Sequence, residues 1–164
     1  MLLTNPTIRQ SSRWFASAPV RQSWTDWPPW TWPAGSIGQA YPLVIAGRLP
    51  TPDGVMFEDL PALARELNVA DTVKFIGPVD EADKPALYRG ATVFAYPSRY
   101  EGFGLTPLEA MASGVPVVTT TAGSLPEVVE SAGYLLPPED TRNMGAAIIT
   151  IVVEPQVHDD LRAR

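Results

Sequence analysis

Along most of the chain, short apolar runs alternate with segments whose apolar residues recur at helical spacing, and glycine, proline and aspartate stand between them. Leu43 to Ala46, closed by Gly47, is a run of the kind that forms a strand buried on both faces. Between Phe57 and Leu67, the residues Leu60, Leu63, Ala64 and Leu67 fall on one face of a helix. The alternation then recurs. Thr72 to Ile76 reads as a strand, Asp83 to Arg89 as a helix with Asp83 as its N-cap, and Thr92 to Tyr96 as a strand. Thr106 to Ser113 reads as a helix with Pro107 in its first turn, followed by a strand from Val115 to Thr119. Ser124 to Glu130 predicts a short helix opened by a Ser-x-x-Glu capping box, and Tyr134 to Leu136 a strand. Thr141 to Val153 reads as the closing helix, although Ile148, Ile149, Ile151, Val152 and Val153 are β-branched and poor helix formers. Strands that alternate with helices predict an α/β fold in which a parallel, doubly wound sheet carries helices on both faces.

The first forty residues break this pattern. All five tryptophans lie there, in a stretch that also carries Pro6, Pro19, Pro28, Pro29 and Pro33. Proline lacks the amide hydrogen and restricts the residue before it, so the run from Trp27 to Pro33 cannot be a helix interior. We therefore divide the chain into an atypical Trp/Pro-rich segment, residues 1–40, expected to be poorly ordered, and an α/β domain, residues 41–164. An aromatic arm that grips sugar or lipid is the functional alternative for the first segment. Arg9, Arg13 and Arg21 against Asp26 give it a balance of +2, which leaves −8 of the total −6 for the domain.

That acidic balance argues against nucleic acid or an anionic membrane as the main partner, because both reward a basic surface. The chain has no cysteine, hence no disulfide frame and no thiolate metal site; a reducing compartment, the cytoplasm, fits. The longest apolar run, Gly145 to Val153, falls far short of the ~20 residues that span a bilayer, so no transmembrane segment is expected.

Candidate chemistry concentrates between Pro97 and Val118. The loop there follows a buried strand and opens a helix, which puts it at the carboxyl edge of the sheet, where open α/β folds bind ligands. Gly102 and Gly104 let backbone amides approach a ligand, and the helix start near Thr106 offers unpaired N–H groups and a positive dipole end suited to a diphosphate. Glu101 and Glu109 could reach hydroxyl-rich groups on either side of that phosphate. Plainer roles exist for each residue. Thr106 and Glu109 also form a capping box, Glu101 could be a solvated loop acid, Phe103 could pack under the loop, and Lys84 could be surface charge.

Glu101 and Glu109, with seven residues between them inside the run from Glu101 to Val118, resemble the Glu-x7-Glu motif of family 4 retaining glycosyltransferases of the two-domain B fold. Leu43 to Gly47, Leu63 to Val79, Leu87 to Ser98 and Ser124 to Asp140 are similar to that family in order and spacing, so the likeness covers about Tyr41 to Arg164. The resemblance implies the Rossmann-like donor-binding half of such an enzyme. Glu101 would bind hydroxyls of the transferred sugar and organise charge at its anomeric centre, and Glu109 would bind the ribose. Amides of Gly102, Phe103, Gly104, Leu105 and Thr106 would hold the sugar and distal phosphate, with the turn at Val79, and Lys84, near the base. The donor, a UDP-, GDP- or ADP-linked sugar, is the substrate; no cofactor and no metal are implied.

The same resemblance implies parts that this sequence lacks. The family's donor half begins with a further strand and a loop bearing an arginine and a lysine, and neither is recognisable before Tyr41. An N-terminal acceptor-binding domain is missing too, and positioning two substrates in the cleft between domains supplies much of the rate. A fragment inactive alone, or half of a split enzyme, fits this pattern. The rival reading is a non-catalytic nucleotide-sugar-binding or partner-binding module; a nucleotide-sugar epimerase, which shares the architecture, is a third.

Overall fold

The computed structural model describes residues 2–4, 40–48 and 59–164. Their strands are β1 (Leu2–Thr4), β2 (Leu43–Ala46), β3 (Val73–Gly77), β4 (Ala91–Tyr96), β5 (Val117–Thr120) and β6 (Gly133–Leu136), joined in one six-stranded sheet of order β3-β2-β1-β4-β5-β6. The helices are α1 (Leu60–Glu66), α2 (Lys84–Arg89), α3 (Leu105–Ala112), α4 (Leu125–Val129), α5 (Thr141–Val153) and α6 (Pro155–Arg162), with a 3-10 turn at Ala70–Thr72.

Successive residues of a strand point to opposite faces, and both faces of this sheet are covered. From the central strands, Phe94 and Val117 join Val44, Tyr88, Ala110 and Val115 in one core cluster, on the side of α2 and α3. Val93 and Val118 join Met144, Ala147 and Ile151 of α5 in the other. Val93, Val117 and Val118 are wholly buried, which explains why these strands read as continuous apolar runs rather than alternating ones.

The strand pairs β2/β3, β4/β5 and β5/β6 are parallel, as expected. β1 departs from the expectation. Residues 1–40 are expected to be poorly ordered, yet Leu2–Thr4 occupies the centre of the sheet, antiparallel to both β2 and β4. Antiparallel ladder geometry lets a three-residue strand fill a gap that a parallel strand enters only after a long crossover. The proline-rich run from Trp27 to Pro33, on which the expected disorder rested, lies outside the described residues.

Helix starts differ in their chemistry. Asp59 accepts the Ala62 N–H at 2.9 Å and opens α1, and Asp140 accepts the Asn143 N–H at 3.1 Å and opens α5. The capping box expected at Ser124 does not form: the Ser124 hydroxyl makes no cap bond to α4, and its oxygen is buried without a described partner. In α5, burial of Met144, Ala147 and Ile151 outweighs the low helix propensity of its β-branched residues. Beyond the helix expected to close the fold, a further helix, α6, forms, and its Val157 and Leu161 pack against the α5 side of the core.

Candidate functional site

The loop between β4 and α3 leaves the sheet at its carboxyl edge, as the sequence pattern requires. Threonines at the end of the buried strand β5 hold it from beneath. The Thr119 hydroxyl donates to the Tyr96 carbonyl at 2.8 Å, and the Thr120 hydroxyl donates to the Ser98 carbonyl. Gly123, with φ +56, lies so close that a Cβ there would collide with the Glu101 carbonyl. Gly104 adopts φ +90, a conformation side chains rarely take, and a Cβ on it would come within 3.2 Å of Leu125. It starts α3 as a left-handed N-cap, so the helix begins at Leu105 and Thr106 lies inside it. Hence the capping box of Thr106 and Glu109 does not exist.

Glu101 is held at both oxygens. The Tyr96 phenol donates to Oε2 at 2.7 Å, and the Gly104 N–H donates to Oε1 at 3.1 Å. The hydrogen bond from Tyr96 is the main reason its carboxyl stays below the usual range; burial opposes that shift, and the amides of Gly104, Phe103 and Gly102 reinforce it. The loop amides thus surround the protein's own carboxylate, and Gly104 offers its N–H to Glu101 rather than outward.

Glu109, on α3, accepts the Tyr88 phenol at 3.1 Å and lies 4.0 Å from the Lys84 ammonium. Lys84 pairs more closely with Glu81, at 2.6 Å, and that contact is the chief cause of its raised pKa. Burial first, and then the carboxylate contact, push both phenols up, Tyr88 strongly. Tyr88, Phe94 and Tyr96 form one aromatic row: Tyr88 meets Phe94 edge-on at 5.5 Å, and Phe94 stacks on Tyr96 at 5.9 Å.

The structure therefore brings Glu101, Gly102, Gly104, Thr106, Glu109 and Lys84 to one end of the sheet. Val79 lies in the loop between β3 and α2, ahead of Lys84. Phe103 and Leu105 are about three-fifths exposed, at 61% and 59%, so Phe103 does not pack under the loop. Sequence reasoning missed Tyr88, Tyr96, Thr119, Thr120 and Gly123. For Tyr96, Thr119 and Thr120 the available signal was polarity out of place: hydroxyls closing strands that are otherwise apolar.

A doubly wound α/β sheet with a carboxylate-bearing loop at its carboxyl edge defines a ligand-binding domain of the Rossmann-like class. The chain belongs to the glycosyl transferases group 1 family, whose model matches residues 36–164. It is similar to the O-antigen chain mannosyltransferase B of Escherichia coli, 42% identical over 109 residues, which are 66% of this chain and 28% of the relative. Among solved structures, a sucrose-phosphate synthase from Thermosynechococcus elongatus superposes with TM-score 0.66 at 35% identity, covering 73% of this chain and 31% of that one. Anabaena Alr3699/HepE in complex with UDP-glucose superposes with TM-score 0.67 at 26% identity, covering 76% and 35%. The chain thus spans about a third or less of the length of these two-domain B-fold glycosyltransferases. Among the described residues, no helix is long and apolar enough to cross a membrane.

Proposed function

We propose that this chain is the donor-binding half of a retaining, metal-independent glycosyltransferase and takes a nucleotide-activated sugar at the loop from Glu101 to Thr106. The observation that carries the reading is the pair of carboxylates, Glu101 and Glu109, each preset by a tyrosine hydroxyl beside the start of α3. Glu101 accepts sugar hydroxyls and organises charge at the anomeric centre, and Glu109 accepts the ribose. Lys84, beside Glu109, adds positive charge at the nucleotide end. The UDP-glucose held by the Anabaena relative and the mannosyltransferase name of the E. coli relative favour a hexosyl donor. The donor is the substrate, and the reading assigns no cofactor. An acceptor-binding domain completes the cleft, and the cytoplasm, which suits a chain without cysteine, is the compartment assigned.

Calorimetry with UDP-, GDP- and ADP-sugars, paired with amide chemical shifts, tests this reading. Saturable binding of one donor class, with shifts concentrated from Glu101 to Thr106, is the expected result. Binding of none, or shifts confined to the distant helix α6, would sink it.

One observation favours a second reading, a non-catalytic nucleotide-sugar-binding module. Thr4 pairs with Ala91, the first residue of β4, so the chain leaves β1 at the amino edge of the sheet. Thr4 therefore hands the chain on at the edge opposite the site. Donor binding without transfer, even with an acceptor domain added in trans, would decide for the module.

A further inference from the structure

We propose that Tyr96 is a positioning residue for the sugar end of this site: its phenol fixes the plane of the Glu101 carboxylate and so decides which ligand hydroxyls that carboxylate can accept. The inference rests on the donor-site reading and adds a residue to it.

Glu101 sits on a loop, where a glutamate side chain ordinarily samples several rotamers, and ordering such a chain on ligand binding weakens affinity. Here the two carboxylate oxygens have different anchors, the Tyr96 phenol at 2.7 Å and the Gly104 N–H at 3.1 Å, so rotation about the terminal bond is arrested. An anchor is useful only if it is itself fixed. Tyr96 ends the central strand β4, its carbonyl accepts the Thr119 hydroxyl at 2.8 Å, and its ring stacks on Phe94 with planes 24° apart. The side chain of Thr106, on α3, works against the upward shift of the same phenol. A bond from a neutral hydroxyl to a carboxylate is charge-assisted and short, which suits a fixed orienter.

Tyr96→Phe keeps the ring and its stacking while removing only the hydroxyl. The first measurement needs no ligand: the carboxyl carbon of Glu101 is titrated by NMR in the wild type, Tyr96→Phe and Tyr88→Phe. The expected result is an upward move of the Glu101 titration in Tyr96→Phe and none in Tyr88→Phe, whose hydroxyl serves Glu109. An unchanged titration in Tyr96→Phe would overturn the proposal. The second measurement is calorimetry with UDP-glucose and with UDP. Tyr96→Phe should weaken UDP-glucose by about tenfold and leave UDP within about twofold, since the lost hydrogen bond acts only at the sugar end. Equal weakening of both ligands would mean a merely structural role and also overturns it. A wild type that binds neither ligand would refute the donor-site reading instead, and the titration would still decide whether Tyr96 holds Glu101. If Tyr96→Phe fails to fold, the wild-type phenol proton serves: a slowly exchanging resonance that moves with the Glu101 titration supports the clamp, and its absence refutes it.

Discussion

The two carboxylates of the site differ in what holds them, and their substitutions should differ accordingly. Glu101 is bound by a phenol and by its own loop, so Glu101→Ala should weaken sugar-dependent affinity by about 1.5–3 kcal/mol and leave UDP affinity nearly unchanged in calorimetry. Glu109 touches Tyr88 and approaches Lys84, so Glu109→Ala should weaken UDP itself. Because Glu109 caps no helix, its removal should lower the melting temperature no more than removal of Glu101; a much larger loss would show a role in the fold. The phenols give a pH test. Both Tyr88 and Tyr96 have folded pKa values above the ordinary ~10, so their stabilising contribution is complete below that value and lost as the solution turns more alkaline. Absorbance of tyrosinate should therefore show two late-titrating residues that ionise together with unfolding, and only one in Tyr88→Phe. Gly123→Ala should displace the Glu101 backbone, costing about 1–3 kcal/mol of stability and shifting the amides of Glu101 to Gly104 in NMR spectra.

Among the elements, burial on two faces was the legible quantity. The apolar runs at Val44, Val93 and Val117 could only be central strands, and the spacing of Met144, Ala147 and Ile151 carried α5 past its unfavourable composition. Helix starts were less legible, because a sequence shows a capping residue but not whether the backbone needs it. Gly104 supplies a left-handed turn that begins α3 without a side-chain cap, and this leaves Glu109 free for Tyr88. The helix α6 escaped notice because a single apolar pair, Val157 and Leu161, is too little periodicity to separate a short helix from a tail. The two phenols were invisible for a related reason: a tyrosine in a buried strand or on the inner face of a helix reads as apolar bulk, and its partner lies outside its own element. One element end also carries strain. Glu130, after α4, has φ 47 and ψ −123, a conformation natural to glycine. Glu130→Gly should raise stability by about 0.5–1 kcal/mol in denaturant unfolding, and Glu130→Val should lower it.

For the whole molecule, the sheet consists of a β2–β3 pair and a β4–β5–β6 group bridged by β1. Deleting residues 1–4 should therefore unpair the facing sides of β2 and β4, and hydrogen exchange at Val44 and Val93 should rise together. If those amides keep their protection, the bridge contributes little and the expectation drawn from residues 1–40 stands. The bridge also has a consequence in time. The units β4-α3-β5 and β5-α4-β6 close over short stretches of chain, whereas β1 meets β4 through the pair Leu3 and Val93, across more than half of the sequence. Closing so long a loop is entropically costly, so its contacts come late in folding. During synthesis β1 is made before its two neighbours and docks after them. Until it docks, the newborn protein presents an open seam between two half-sheets, which invites either a chaperone or the β1 residues of a sister chain.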